Sequence, residues 1–354
     1  MVMVALLGLA QLGVGHPVAR AAAAQVHADA SSARSPGASG VHVFGRGFDV
    51  PEALALSGDD LFVANWRGSS VTELDASTGA LVRVISAPAY KFTDPRALAL
   101  SGDDLFVANQ YGASVTELGT STGALVRVIS GPAYRFDQPT SLAAKGPDLF
   151  VANLANGSGG SVTELDTSTG ALVRVISGPA YKFRGPQALA LSGDALFVAN
   201  QLGGVTELDT STGALIRVIS APKFRLFVPD ALALSGDDLF VANSFGSGAD
   251  YRGTVTELDA STGALVRVVS GPRYEFRNPS ALAVGEGDLF VGNLGDVSVK
   301  GSLTEVDAST GALVRVISGP QYQFDGPGAL ALNKDDLFVA NQFGSSVTEL
   351  WGAL

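Results

Sequence analysis

The stretch Arg96–Pro139, RALALSGDDLFVANQYGASVTELGTSTGALVRVISGPAYRFDQP, decides the fold, because close copies of it follow one another from Pro51 to the end of the chain. It holds four short strand candidates. Ala97–Leu100 (ALAL) is an apolar run, the Gly102–Asp103 pair makes a tight hairpin turn, and Asp104–Ala108 (DLFVA) is β-branched and aromatic. Ser114–Leu118 (SVTEL) alternates, and Leu125–Ile129 (LVRVI) follows a Ser-Thr-Gly turn.

The spacing of the copies separates rigid from adjustable parts. The opening prolines Pro51, Pro95, Pro139, Pro186, Pro229, Pro279 and Pro327 each precede the asparagine that ends the LFVAN-type string by 14 residues. Each VTEL-type glutamate from Glu73 to Glu305 precedes the next proline by 22. Between asparagine and glutamate the separations are 8, 8, 11, 7, 14, 12 and 8, so one loop per unit absorbs every insertion. Loops accept length changes cheaply and strand registers do not, which marks a fixed β framework with one adjustable loop per copy.

Units of four strands at a period in the mid-forties match propeller blades, whose WD40 form runs ~40–45 residues. The last unit stops soon after VTEL (Val347–Leu350) and lacks its fourth strand, while Val41–Phe44 (VHVF), Phe48 and Pro51 read like the missing tail. The expected fold is therefore all-β: a single seven-bladed β-propeller of four-stranded antiparallel blades over residues 41–354, closed by an N-terminal strand that completes the last blade. The inner strands read as runs packed on both faces. The outer two are expected to show polar residues to solvent, with each VTEL glutamate paired to the arginine of the following strand at an exposed edge.

LFVAN, a Gly-containing loop, SVTELD-x-STG and a Pro-led strand resemble the YVTN-type bacterial β-propeller repeat and, more loosely, NHL repeats, over Val41 to Leu350. The resemblance implies the propeller and leaves function open, because such propellers include surface proteins, binding platforms and a few enzymes. Streptogramin lyase-type and lactonase-type propellers are also similar; their catalytic sites rest on His or carboxylate groups in the central channel. No position here matches a catalytic motif of those families, so no catalytic residue, metal ligand or cofactor is carried over.

Composition narrows the chemistry. With 23 Lys and Arg against 34 Asp and Glu, a formal charge of −11 and no cysteine, the chain offers no overall basic surface for nucleic acid, no disulfide and no thiolate site. His16, His27 and His42 are the only histidines, and two of them precede the repeats, which argues against a histidine base or a multi-histidine metal site. The Asp59–Asp60-type pairs read as hairpin residues.

Val2–Gly15 is an uncharged apolar run followed by small residues at Ala19–Ala24, which resembles a secretory signal peptide over residues 1–24 without a basic leading segment. Residues 25–40 read as a flexible leader. The run is shorter than the ~20 residues of a spanning helix, so no stable transmembrane anchor is expected.

In a four-strand meander, the adjustable loop and the connector to the next blade emerge on the same face as the start of each inner strand. The residue after each opening proline is Glu52, Arg96, Thr140, Gln187, Asp230, Ser280 and Gly328, different in all seven copies. Glu52, Arg96, Gln187 and Asp230 at this channel mouth, with Trp66, Tyr251 and Arg252 in the adjustable loops, are the candidate ligand- or partner-binding residues. The seven asparagines are expected to serve turns, and the connector aromatics (Tyr90 and Phe92 in the first) to supply buried Phe and exposed Tyr. The expected function is an exported, monomeric, non-enzymatic platform for a protein, glycan or small-molecule ligand, secreted or at the cell surface. The alternative is a lactonase-like hydrolase or lyase with a metal or acid site at the mouth.

Overall fold

In the computed structural model, described for residues 40–155, 159–244, 252–296, 300–333 and 336–352, each repeat folds into one four-stranded antiparallel sheet. The chain enters as β1 (Gly40–Phe44), and the first blade follows as β2 (Pro51–Ser57), β3 (Asp60–Asn65), β4 (Ser70–Asp75) and β5 (Leu81–Ile85). Numbering blades from this one, seven sheets stand in a ring in which neighbouring blades touch through their innermost strands and the seventh returns to the first.

Two turn types make the meander. Gly58 takes the left-handed φ of 59° that the two-residue hairpin between β2 and β3 requires. Between β4 and β5, Asp75 Oδ1 accepts from the Ser77 and Thr78 amides at 3.0 and 2.8 Å and from both hydroxyls. The equivalent hydroxyl and amide bonds hold Asp209 and Asp259 down to about 2. Blade 2 has Gly119 at this position and no carboxylate to cap the turn.

The core lies between blades, as seven apolar clusters. In the one between blades 1 and 2, Phe62, Val71 and Ile85 meet Leu105, Val107 and Leu118 of the next blade, with Phe92 of the connector wedged among them. The LFVA string thus sends Leu61 and Val63 to one neighbour and Phe62 to the other. Each buried phenylalanine of this series stabilises the ring by about 1.5–3 kcal/mol. The connector Phe is buried as expected. The connector Tyr is not an open platform: Tyr90 stacks on Phe92 at 5.3 Å and its hydroxyl donates to the Gly123 carbonyl at 2.7 Å.

Closure follows the sequence expectation. β1 pairs antiparallel with the last strand, Ser346–Trp351, and Phe44 joins the cluster between blades 7 and 1. His42 stands opposite Glu349, where the other six blades set an arginine opposite their glutamate. The expected signal peptide and most of the leader lie outside the described residues.

One expectation is corrected. The third strand is not a half-solvated outer strand: in blade 1, Ser70 through Leu74 are all buried, and Glu73 is 1% exposed. The Arg83–Glu73 pair forms, at 2.9 Å, but the arginine covers a buried carboxylate instead of sharing an exposed edge. The alternating polar residues are internal because both faces of this strand meet a neighbouring blade or connector, so each polar group needs a dedicated partner.

Candidate functional site

The seven strand-ending asparagines show what such partners do. Asn109, fully buried, donates from Nδ2 to Thr116 Oγ1 at 3.0 Å and Ser114 Oγ at 3.2 Å, while its Oδ1 accepts from the Thr93 amide of the incoming connector. Thr116 Oγ1 in turn donates to the Tyr90 carbonyl at 2.8 Å. Every blade repeats the threonine-to-connector bond. Five of the asparagines thus bond the incoming connector directly through Oδ1, whereas Asn243 and Asn341 reach it only through the threonine. In either form the role goes beyond the local turn expected of them, and they offer no exposed polar ring.

The connectors deliver the chain to the channel mouth. There each innermost strand carries a β-bulge: pairing passes from Pro51–Asn65 to Ala53–Ala64, leaving Glu52 as the extra residue. The same irregularity recurs in every blade, so the variable ring of Glu52, Arg96, Thr140, Gln187, Asp230, Ser280 and Gly328 is a ring of bulge residues. A bulge frees its residue from the side-chain alternation of the strand, which explains why this position varies while its neighbours do not.

Several of these side chains act together. Arg96 Nη1 donates to Glu52 Oε2 at 2.8 Å, and Gln342 Nε2 donates to the same oxygen at 2.7 Å. Three consecutive blades (7, 1 and 2) thus share one cluster. Gly328 is part of it, since a Cβ there would lie 2.2 Å from Gln342 Nε2. Burial pushes the Glu52 carboxyl up against the opposing pull of Arg96 and Gln342. Asp230 stands three blades from both Glu52 and Arg96; Ser244 Oγ donates to its Oδ2 and also reaches the Pro279 carbonyl. Burial raises the Asp230 carboxyl too, opposed by the Ser244 bond and the Arg96 charge. Trp66 Nε1 donates to Gln110 Oε1 at 3.4 Å, and Gln187 is half-buried.

Of the sequence candidates, Glu52, Arg96, Trp66, Gln187 and Asp230 therefore stand at the mouth, with Glu52 and Arg96 in contact. Arg252 instead donates to the Pro272 carbonyl of the following connector. Tyr251 lies outside the described residues. Sequence reading passed over Gln110, Gln201 and Gln342, which follow strand-ending asparagines, and took Ser244 only as the start of a long loop. The available signal was that this position changes among Trp, Gln, Leu and Ser across the seven copies.

The mouth can offer two partly buried carboxyls, one guanidinium and several amides to a ligand. Among the described residues no three His, Asp or Glu side chains converge to hold a metal ion. Two shallow grooves of about 290 and 300 Å³ lie elsewhere, beside Asp194 and Asp209 and beside Gly160 and Lys182. No helix among the described residues is long and apolar enough to cross a membrane.

Comparison with known proteins agrees with the fold. Hydrazine synthase of Kuenenia stuttgartiensis superposes with a TM-score of 0.71 at 20% identity, covering 86% of this chain and 96% of that one. The computationally designed Ika8 protein superposes with a TM-score of 0.61 at 18% identity and the same coverages. At these identities the likeness is one of fold. Comparison with curated sequences gives no match. The PQQ_2 family, described as outer membrane protein assembly factor BamB, matches residues 67–225 and again 158–347. These matches carry a propeller repeat and not the finer YVTN or NHL type. Because they span most of the ring, the chain belongs to the PQQ_2 family of β-propeller repeat proteins.

Proposed function

We propose that this propeller is an extracytoplasmic, non-enzymatic binding platform that engages its ligand or partner at the channel mouth and the loops around it. The observation that supports this most is the coupling of residues that break the repeat. Gln342, Glu52 and Arg96 come from three blades, and Gly328 leaves the space their contact needs. Random drift at a tolerant surface gives variation but no such mutual fit. The apolar N-terminal run and the BamB description of the family favour export.

The test is a thermal-shift screen with peptides, glycans and lactones. A ligand that raises the melting temperature of the native chain is expected to lose that effect in Gly328→Ala and Glu52→Gln, because both remove the Gln342–Glu52–Arg96 geometry. Turnover of any lactone that disappears in Glu52→Gln or Asp230→Asn would overturn the non-enzymatic reading in favour of an acid site.

A further inference from the structure

The formal charge of −11 is not spread over the ring. The meander places all connectors and adjustable loops on one face, and both hairpin turns of every blade on the other. Among the described residues, the loop-and-connector segments carry twelve Lys and Arg against six Asp and Glu, and the bulge ring beside them adds Arg96, Glu52 and Asp230. The hairpin turns together with the strand ends that flank them carry, among the described residues, sixteen Asp and Glu against one lysine, Lys145, itself paired with Asp194. The arginines of the outer strands are spent on the buried glutamates. The hairpin-face acids have a structural account as turn residues, several of them capping their own turns. Some cations of the opposite face are paired, Arg96 with Glu52, Arg277 with Asp296 and Lys300 with Asp325, but Lys91, Arg135 and Lys182 are exposed and have no carboxylate partner.

A second observation falls on the same face. Among the described residues, exposed large apolar residues occur on the outermost strands and, apart from those, only around the mouth: Tyr111, Leu202, Phe227 and Phe343, at 58, 50, 40 and 68% exposure. Tyr111, Leu202 and Phe343 occupy one position, two residues after the strand-ending asparagine, in blades 2, 4 and 7. They form no hairpin and close no interface between blades.

We infer that the loop face binds an acidic polypeptide segment bearing apolar side chains, a partner class that rests on the platform reading above. The acidic hairpin face repels such a partner and the loop face attracts it, so the charge separation orients its approach. The apolar residues then supply contact area once it arrives. A flat anionic membrane fits less well. The apolar groups are dispersed around the ring and form no single patch that could insert into a bilayer.

The experiment measures fluorescence anisotropy of the full chain with a labelled flexible peptide of Glu, Gly and Leu. Its Lys-for-Glu counterpart, phosphatidylglycerol vesicles and a DNA duplex serve as comparators. The acidic peptide is expected to bind, to weaken as salt rises from about 0.05 to about 0.5 M, and to bind about tenfold more weakly to Lys91→Glu/Arg135→Glu/Lys182→Glu. That variant should fold, because Glu275 occupies the same connector position with the same left-handed backbone, φ 53°. Tyr111→Ser/Phe343→Ser should weaken binding without changing its salt dependence. Equal binding of the lysine peptide, indifference to the triple reversal, or capture of vesicles or DNA in preference to the peptide would overturn the inference. If the peptide fails while a screened ligand still depends on Gly328, the platform stands and the acidic partner falls.

Discussion

Replacing Thr116 by valine keeps the shape of a fully buried side chain and removes only its hydroxyl. That hydroxyl donates to the Tyr90 carbonyl at 2.8 Å and accepts from Asn109 Nδ2 at 3.0 Å. The stranded carbonyl costs about 1–3 kcal/mol, and the asparagine, which keeps Ser114 Oγ and the Val107 carbonyl, adds about 0.5 kcal/mol. Blade 4 provides an internal comparison. Its adjustable loop is the shortest and lacks the serine, so Asn200 holds only Thr206 Oγ1 and the Val198 carbonyl. Thr206→Val should therefore cost about 1 kcal/mol more than Thr116→Val. With about 2.1 cal/mol/K of unfolding entropy per residue over roughly 310 residues, a loss of about 1.5–3.5 kcal/mol lowers the melting temperature by about 2–5 °C. Calorimetry at matched scan rate reads both variants. Losses under about 0.5 kcal/mol in both, or a larger loss in Thr116→Val than in Thr206→Val, would refute the account of the asparagines as connector fasteners.

Other consequences can be measured alongside. Gly119→Asp restores the turn cap that blade 2 lacks. Its Cβ meets nothing closer than Thr122 Oγ1 at 3.4 Å, so a gain of about 0.5–1.5 kcal/mol in urea unfolding is expected, and a loss would count against the capping argument. Val228 is β-branched yet left-handed, φ 51°, where blade 6 has Asn278 at φ 50°; Val228→Asn should stabilise by about 1 kcal/mol, and no change would mean the backbone there is unstrained. Burial raises the Glu73, Glu117, Glu164, Glu207 and Glu305 carboxyls above 4.5 and pushes Glu257 up to about 7. The native chain then binds more protons than the unfolded one in that window, so stability should rise as pH falls from about 7 toward about 4.5. The capped aspartates act oppositely, held at about 2 against 3.8, and their contribution is lost below about pH 4. A melting temperature that fell steadily from pH 7 to 5, or a Glu257→Gln variant with an unchanged pH slope, would contradict this assignment.

Sequence alone determined the ring. Four strand patterns per copy, constant separations on either side of one adjustable loop, and a final copy missing the piece found at Val41–Phe44 leave a closed propeller as the consistent packing, because strand register tolerates no insertion. The variable bulge ring was also legible, as the position that differs in all seven copies. What each residue meets was not. VTEL looks like a solvated outer strand until the neighbouring connector covers it, so only packing shows that Thr72 and Glu73 are buried and that the asparagines bind connectors. Residues 44 and 290 positions apart in sequence, Arg96 and Gln342, share Glu52 only because the ring closes. The sorting of a net −11 into a basic loop face and an acidic hairpin face likewise depends on which turns the meander sends to which side. Composition sums charge over the chain, whereas a partner meets one surface at a time.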